Sequence, residues 1–168
     1  MARLLDILEN VNRGIARCCL WLSAVGLVAM TAIIGWQVFG RYVLNDSPQW
    51  SEVLCLFLMT YYILFAAAAG VHDKFHIGLT FTRLWLSPKG ARVCDGIIYL
   101  IVGLFGLGMV WFGAQMAATT WTHVIPTLNI SVGVSYLPFP LAGLLFILFS
   151  LEHILNAIFD KEARPSWN

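Results

Sequence analysis

The residues best suited to chemistry in this sequence are four histidines, nine carboxylates and four cysteines. His72 and His76 stand four apart with Asp73 beside them, a spacing that puts two imidazoles on one helical face, as in zinc sites. Haem held in a helical bundle would instead need ligands from facing helices in its interior. His72 and His76 lie at the edge of an apolar run, His123 in a connection, and His153 near the end of the last run. Interfacial hydrogen bonding therefore accounts for these histidines better than metal or haem ligation, and no cofactor is expected. Cys18, Cys19, Cys55 and Cys94 lack metal-type pair spacing and read as small hydrophobes. Neither a nucleophile motif nor a phosphate-cradling glycine loop is present, so an enzyme is not expected.

The carboxylates fall at Asp6, Glu9, Asp46, Glu52, Asp73, Asp95, Glu152, Asp160 and Glu162, all outside the long apolar runs or near their ends. No ionisable group is thus expected deep in a span, where it would mark a pathway. Ser23, Thr31, Gln37, Thr60, Gln115 and Ser150 read as interhelical hydrogen-bonding groups.

The elements that must position these residues follow from composition. Of 168 residues, 60% are hydrophobic and 11% charged, against roughly 25% charged in soluble domains, which makes this an all-α membrane protein. A net charge of +1 without a basic run excludes a nucleic-acid partner. Runs at 18–39, 53–71, 96–118 and 134–159 are each close to the roughly 20 residues that cross a bilayer as a helix, giving one four-helix membrane domain over 1–168. Before the first run, Leu4, Leu8, Val11 and Ile15 recur at helical spacing. This N-terminal amphipathic helix either lies in the headgroup plane or extends the first span. No short apolar core with a cleavage site follows it, so the N-terminus is expected to be retained.

Nine of the ten Lys and Arg residues flank the same side: Arg3, Arg13 and Arg17, then Lys74, Arg83, Lys89 and Arg92, then Lys161 and Arg164. Only Arg41 lies on the other. Basic loops stay inside, so both termini are expected in the cytoplasm. In the cytoplasmic connection, Ile77, Phe81, Leu84 and Trp85 give a helical apolar face suited to the membrane surface. The uncharged outer connection 119–133 would dip Trp121, Ile125, Leu128 and Ile130 into the interface. Trp21, Trp85 and Trp121 read as interface anchors. Ala66 with Gly70, and Gly113 with Ala117, have the small-x-x-x-small spacing that lets helices approach closely.

Between the first two runs, Ser47 and Pro48 signal a helix start, with Ser as cap and Pro as first helical residue. Ser87 and Pro88 repeat the signal before the third run. Arg41, Tyr42 and Trp50 would sit at headgroup level, and Glu52 in the first turn, where a carboxylate is favoured.

R-Y-V-L-N-D-S-P-Q-W-S-E, L-F-A-A-A-A-G-V-H-D-K-F-H-I-G-L, L-S-P-K-G-A-R, I-P-T-L-N-I-S and L-P-F-P-L-A-G, in this order, resemble the small membrane subunit, DctQ type, of tripartite ATP-independent periplasmic (TRAP) transporters. The resemblance implies a subunit of a sodium-coupled secondary transporter in the bacterial inner membrane. Its partners would be a large elevator-type membrane subunit and a periplasmic substrate-binding protein, with lipid around it. The cargo would be an organic acid: a C4-dicarboxylate, sialic acid, another sugar acid or a keto acid. W-T-H-V-I-P-T-L-N-I resembles the sugar-acid members more closely. Arg41, Tyr42, Pro48, Trp50 and Glu52 become candidate contacts to the large subunit or the binding protein. Many members continue Trp-Ser-Glu with Glu-Leu-Ala and then a base, whereas Val53 follows Glu52 here and Leu56 stands in the place of the base. Arg41 is then the nearest partner for Glu52. The rival readings from other classes are a stand-alone homo-oligomeric transporter and a b-type haem redox subunit.

Overall fold

A computed structural model describes the backbone of residues 2–46, 48–73 and 88–158, and side chains over 7–46, 48–73, 90 and 93–157. Helix α1 runs unbroken over Ala2–Phe39 and widens into a π-helical turn at Gly40–Leu44. Helix α2 is Gln49–His72, α3 is Pro88–Thr119, α4 is the short Val132–Tyr136 and α5 is Pro138–Ile158. Four stretches are long and apolar enough to cross a membrane. The N-terminal segment therefore extends the first span as one helix.

Phe39 passes directly into the π turn, which ends at Asn45 in the left-handed conformation (φ 52°). The chain folds back over Gly40 so closely that a Cβ there would lie 2.7 Å from the Asp46 carbonyl oxygen. Only glycine leaves room for that return. The start of α2 differs from the expectation at one residue. Pro48 is extended (φ −67°, ψ 116°) and is the cap position itself, with Gln49 the first helical residue. Its carbonyl accepts from both the backbone N–H and the hydroxyl of Ser51, at 3.3 and 2.7 Å. In α3, Pro88 is the first helical residue, where its missing donor costs nothing. Ser47, Ser87, His76, Trp85 and the rest of the expected interfacial helix lie outside the described residues.

The fourth span is not one helix. Pro138 and Pro140 lack the N–H groups that would continue α4, so the chain breaks at Leu137 and restarts as α5. The connection 119–133 contains a small hairpin in which Val124–Ile125 (β1) pairs antiparallel with Ile130–Ser131 (β2). Asn129 supplies its left-handed residue (φ 53°). Ser131 then caps α4, accepting from Gly133 N at 3.1 Å while donating to Trp121 O at 2.6 Å.

Two antiparallel pairs make up the bundle: α1 packs on α2, α3 on α5, and α2 with α5 joins the pairs. Glycines bring α3 and α5 together. A Cβ on Gly106 would lie 2.8 Å from the Gly143 carbonyl oxygen, and one on Gly143 2.6 Å from that of Gly106. Ala16, Ala68, Val71, Tyr99, Phe146 and Phe149 form the buried core. The outward sides of α1 and α3 are apolar and open, with Val25, Val28, Leu104, Phe105, Trp111 and Phe112 all exposed.

Candidate functional site

One end of the bundle gathers the start of α1, the end of α2, the start of α3 and the end of α5. The buried polar side chains of the described residues concentrate there. Glu9 and Asn12 come from α1, His72 from the last turn of α2 with Asp73 just beyond it, Asp95 and Tyr99 from α3, and Ser150, Glu152, His153 and Asn156 from α5. Asn12 Nδ2 donates to Glu152 Oε2 at 2.7 Å. His72 Nδ1 meets Asp73 Oδ1 at 3.0 Å, and His72 Nε2 lies 3.9 Å from Glu152 Oε2. The Nε2 of His153 faces two backbone carbonyls, Val71 O at 3.1 Å and His72 O at 3.0 Å. A carbonyl only accepts, so this nitrogen carries the proton. The other face of that imidazole stacks on Tyr99, with ring centroids 4.3 Å apart.

The cluster shows how His72 and His153, read as interfacial hydrogen-bonding groups, make their bonds inside the bundle end. Both are buried, 2% and 3% exposed, because four helix ends converge on them. The stripe of α1 turned into the bundle is likewise Glu9, Asn12, Ala16, Cys19 and Ser23, whereas Val11 of the apolar stripe is exposed. In a membrane the inside of a bundle is where polar side chains can meet one another, while apolar ones can face lipid. A signal was available, since Glu9, Asn12, Ala16, Cys19 and Ser23 themselves recur at helical spacing. Chemically the cluster is a clasp. Hydrogen bonds tie α1 to α5 through Asn12 and Glu152 and α5 to the end of α2 through His153, and α3 joins them by the stacking of Tyr99 on His153, in surroundings where an unmade bond is expensive.

The opposite end holds the residues singled out around the first connection. Arg41 Nη2 approaches Glu52 Oε1 at 3.4 Å, and Gln37 Nε2 donates to the same oxygen at 2.9 Å. Arg41 and Glu52 are thus paired with each other within the chain. Tyr42 is 78% exposed and Trp50 40%. Below the pair, a groove of about 570 Å³ runs between α1 and α2, with Met30, Ile34, Val38, Cys55, Leu56 and Met59 along its walls.

The small-residue positions separate. A Cβ on Gly113 would meet Phe139 Cβ and Pro140 Cδ, both at 2.8 Å, and Ala117 is buried, its carbonyl 2.6 Å from where a Cβ of Gly133 would lie. Both positions pack within the chain. Nothing described lies within 4 Å of a Cβ on Gly70, and Ala66 is half-buried, while Ala68 and Ala69 enter the core. Trp21 and Trp121 are 68% and 52% exposed.

Four spanning helices, a clasp at one end and an ion-paired turn at the other define a small multi-pass membrane protein with open apolar flanks. Residues 30–160 match the family of tripartite ATP-independent periplasmic transporters, DctQ component, and the chain belongs to that family. It is also 30% identical, over 77% of its own length and 75% of the relative's, to the sialic acid TRAP transporter small permease protein SiaQ of Vibrio cholerae.

Proposed function

We propose that this chain is the scaffold subunit of a sodium-coupled, binding-protein-dependent TRAP transporter in a bacterial inner membrane, importing sialic acid or a related sugar acid. It supports a large elevator-type membrane subunit, which carries the sodium and substrate sites. Both termini lie in the cytoplasm, so the clasp is at the inner side. Tyr42, Pro48 and Trp50, with the Val124–Ser131 hairpin, offer a surface to the docking binding protein, and Trp21 and Trp121 anchor opposite interfaces.

The observation that carries this reading is the contrast between the closed α3/α5 seam and the open flanks. Gly106 and Gly143 bring two backbones into contact at mid-bundle, whereas α1 and α3 present continuous apolar surface outward. Such a chain works through its surfaces, as a support does. The relative's name supports sialic acid as the cargo class.

The test is reconstitution. Tagged chain purified in mild detergent should bring down a stoichiometric, larger multi-span partner. Proteoliposomes holding both, given the cognate binding protein and a sodium gradient, should accumulate sialic acid, and omission of any component should abolish uptake. Recovery of this chain alone, with transport by itself or with a haem spectrum, would overturn the proposal.

A further inference from the structure

We infer that the groove between α1 and α2 is a binding site for one glycerophospholipid with an ethanolamine headgroup. Its length, lining and mouth each point to that ligand. Met30 on α1 and Arg41 with Tyr42 in the π turn mark its two ends, about 16–18 Å apart at roughly 1.5 Å per residue. That is the depth of one leaflet, half of a hydrocarbon core about 30 Å thick. The walls over this length are Met30, Ile34, Val38, Leu56 and Met59, flexible or branched apolar side chains that suit an acyl chain.

The polar groups stand only at the headgroup end. Arg41 and Glu52 are 54% and 67% exposed, and their 3.4 Å contact is longer than a strong charge-assisted bond. Both keep capacity. Arg41 has five donor hydrogens; among the described residues those of Nη2 alone are engaged, and Glu52 Oε2 accepts nothing. A mouth with one cation and one anion matches a headgroup that carries both: the lipid phosphate on Arg41, the primary ammonium on Glu52. A glycerol headgroup would set its unbalanced negative charge beside Glu52. A choline headgroup has no N–H to donate. This assigns Arg41 and Glu52 to a lipid headgroup rather than to a protein contact.

The test is native mass spectrometry of the full-length chain, both alone and with whatever subunit accompanies it. Delipidated protein would be titrated with phosphatidylethanolamine, phosphatidylcholine and phosphatidylglycerol of identical acyl chains. The expected result is one phosphatidylethanolamine per chain, held about tenfold more tightly than the other two. Glu52→Gln should erase the preference over choline while retaining binding. Leu56→Trp, at a wall position 66% exposed and so harmless to folding, should fill the groove and abolish retention at unchanged melting temperature. Headgroup-blind binding in the unaltered chain, or undiminished retention in Leu56→Trp, would overturn the inference. So would a photo-crosslinker at position 59 that captured a protein helix instead of lipid.

Discussion

Asn12 and Glu152 lie 140 positions apart and are joined by a 2.7 Å hydrogen bond between buried side chains, Asn12 Nδ2 donating to Glu152 Oε2. The bond links the first helix to the last. α1 and α5 otherwise touch over a small area, most of α1 packing on α2 and most of α5 on α3. A polar contact therefore fastens the two helix pairs at the clasp end, where the residues available for packing are themselves polar.

Replacing Asn12 by Leu should for this reason cost more than its conservative size suggests. Glu152 would lose a donor in surroundings that water does not reach, a penalty of about 1–3 kcal/mol. Thermal unfolding of the purified chain in detergent, followed by loss of its elution peak, should show a lowered midpoint. Glu152→Gln should be milder, since its side-chain amide can still present a carbonyl oxygen to Asn12.

The α3/α5 seam makes an opposite prediction for two glycines of similar sequence setting. On Gly143 a Cβ would collide with the Gly106 carbonyl oxygen at 2.6 Å and Met109 Cβ at 2.9 Å. Gly143→Ala should force the helices apart and destabilise the chain by more than about 1–3 kcal/mol, the usual cost of overpacking, because backbone must move. On Gly103 the nearest atom is Ser150 Cβ at 3.5 Å, an ordinary contact. Gly103→Ala should be neutral or stabilising by up to about 1 kcal/mol through helix propensity. Paired melting curves of the two variants decide it.

The apolar runs were sufficient to find four spans, because length and hydropathy alone determine what can cross a bilayer. Pairing between Arg41 and Glu52 was also readable, since a short connection leaves each few other partners. The clasp was not. His72, Asp73, Asp95, Glu152 and His153 sit at run ends, where sequence cannot distinguish a side chain that meets water from one enclosed by three other helix ends. The α3/α5 contact was only half visible for a similar reason: Gly113 and Ala117 stood out by spacing, but Gly106 and Gly143 are on different helices, and their register is a tertiary fact.

His153 should control the end of α2. Its Nε2–H faces the carbonyls of Val71 and His72, two of the acceptors that a helix C-terminus leaves without intrahelical donors. His153→Phe preserves a ring to stack on Tyr99 but removes the donor. Amide exchange in the last turn of α2 should accelerate in this variant by about tenfold, the effect of losing roughly 1.4 kcal/mol of local protection. Exchange in the middle of α3 should stay unchanged. Equal acceleration in both regions would mean that His153 supports the whole bundle rather than one helix end.

Topology offers the sharpest check on orientation. The clasp end carries Arg3, Arg13 and Arg17 on α1 and Lys89 and Arg92 at the start of α3, with Lys74, Arg83, Lys161 and Arg164 in the sequence beyond it, whereas the opposite end carries Arg41 alone, paired with Glu52. Basic residues near span ends are retained on the cytoplasmic side, and a cation already neutralised by a neighbour opposes translocation less. A green fluorescent protein fused to either terminus should therefore fluoresce, as it does only when it folds in the cytoplasm. A single cysteine at Thr127, in the hairpin connection, should react with a membrane-impermeant maleimide in intact spheroplasts once the four native cysteines are replaced by Ala or Ser. Labelling of that position only after lysis would invert the topology and place the clasp outside.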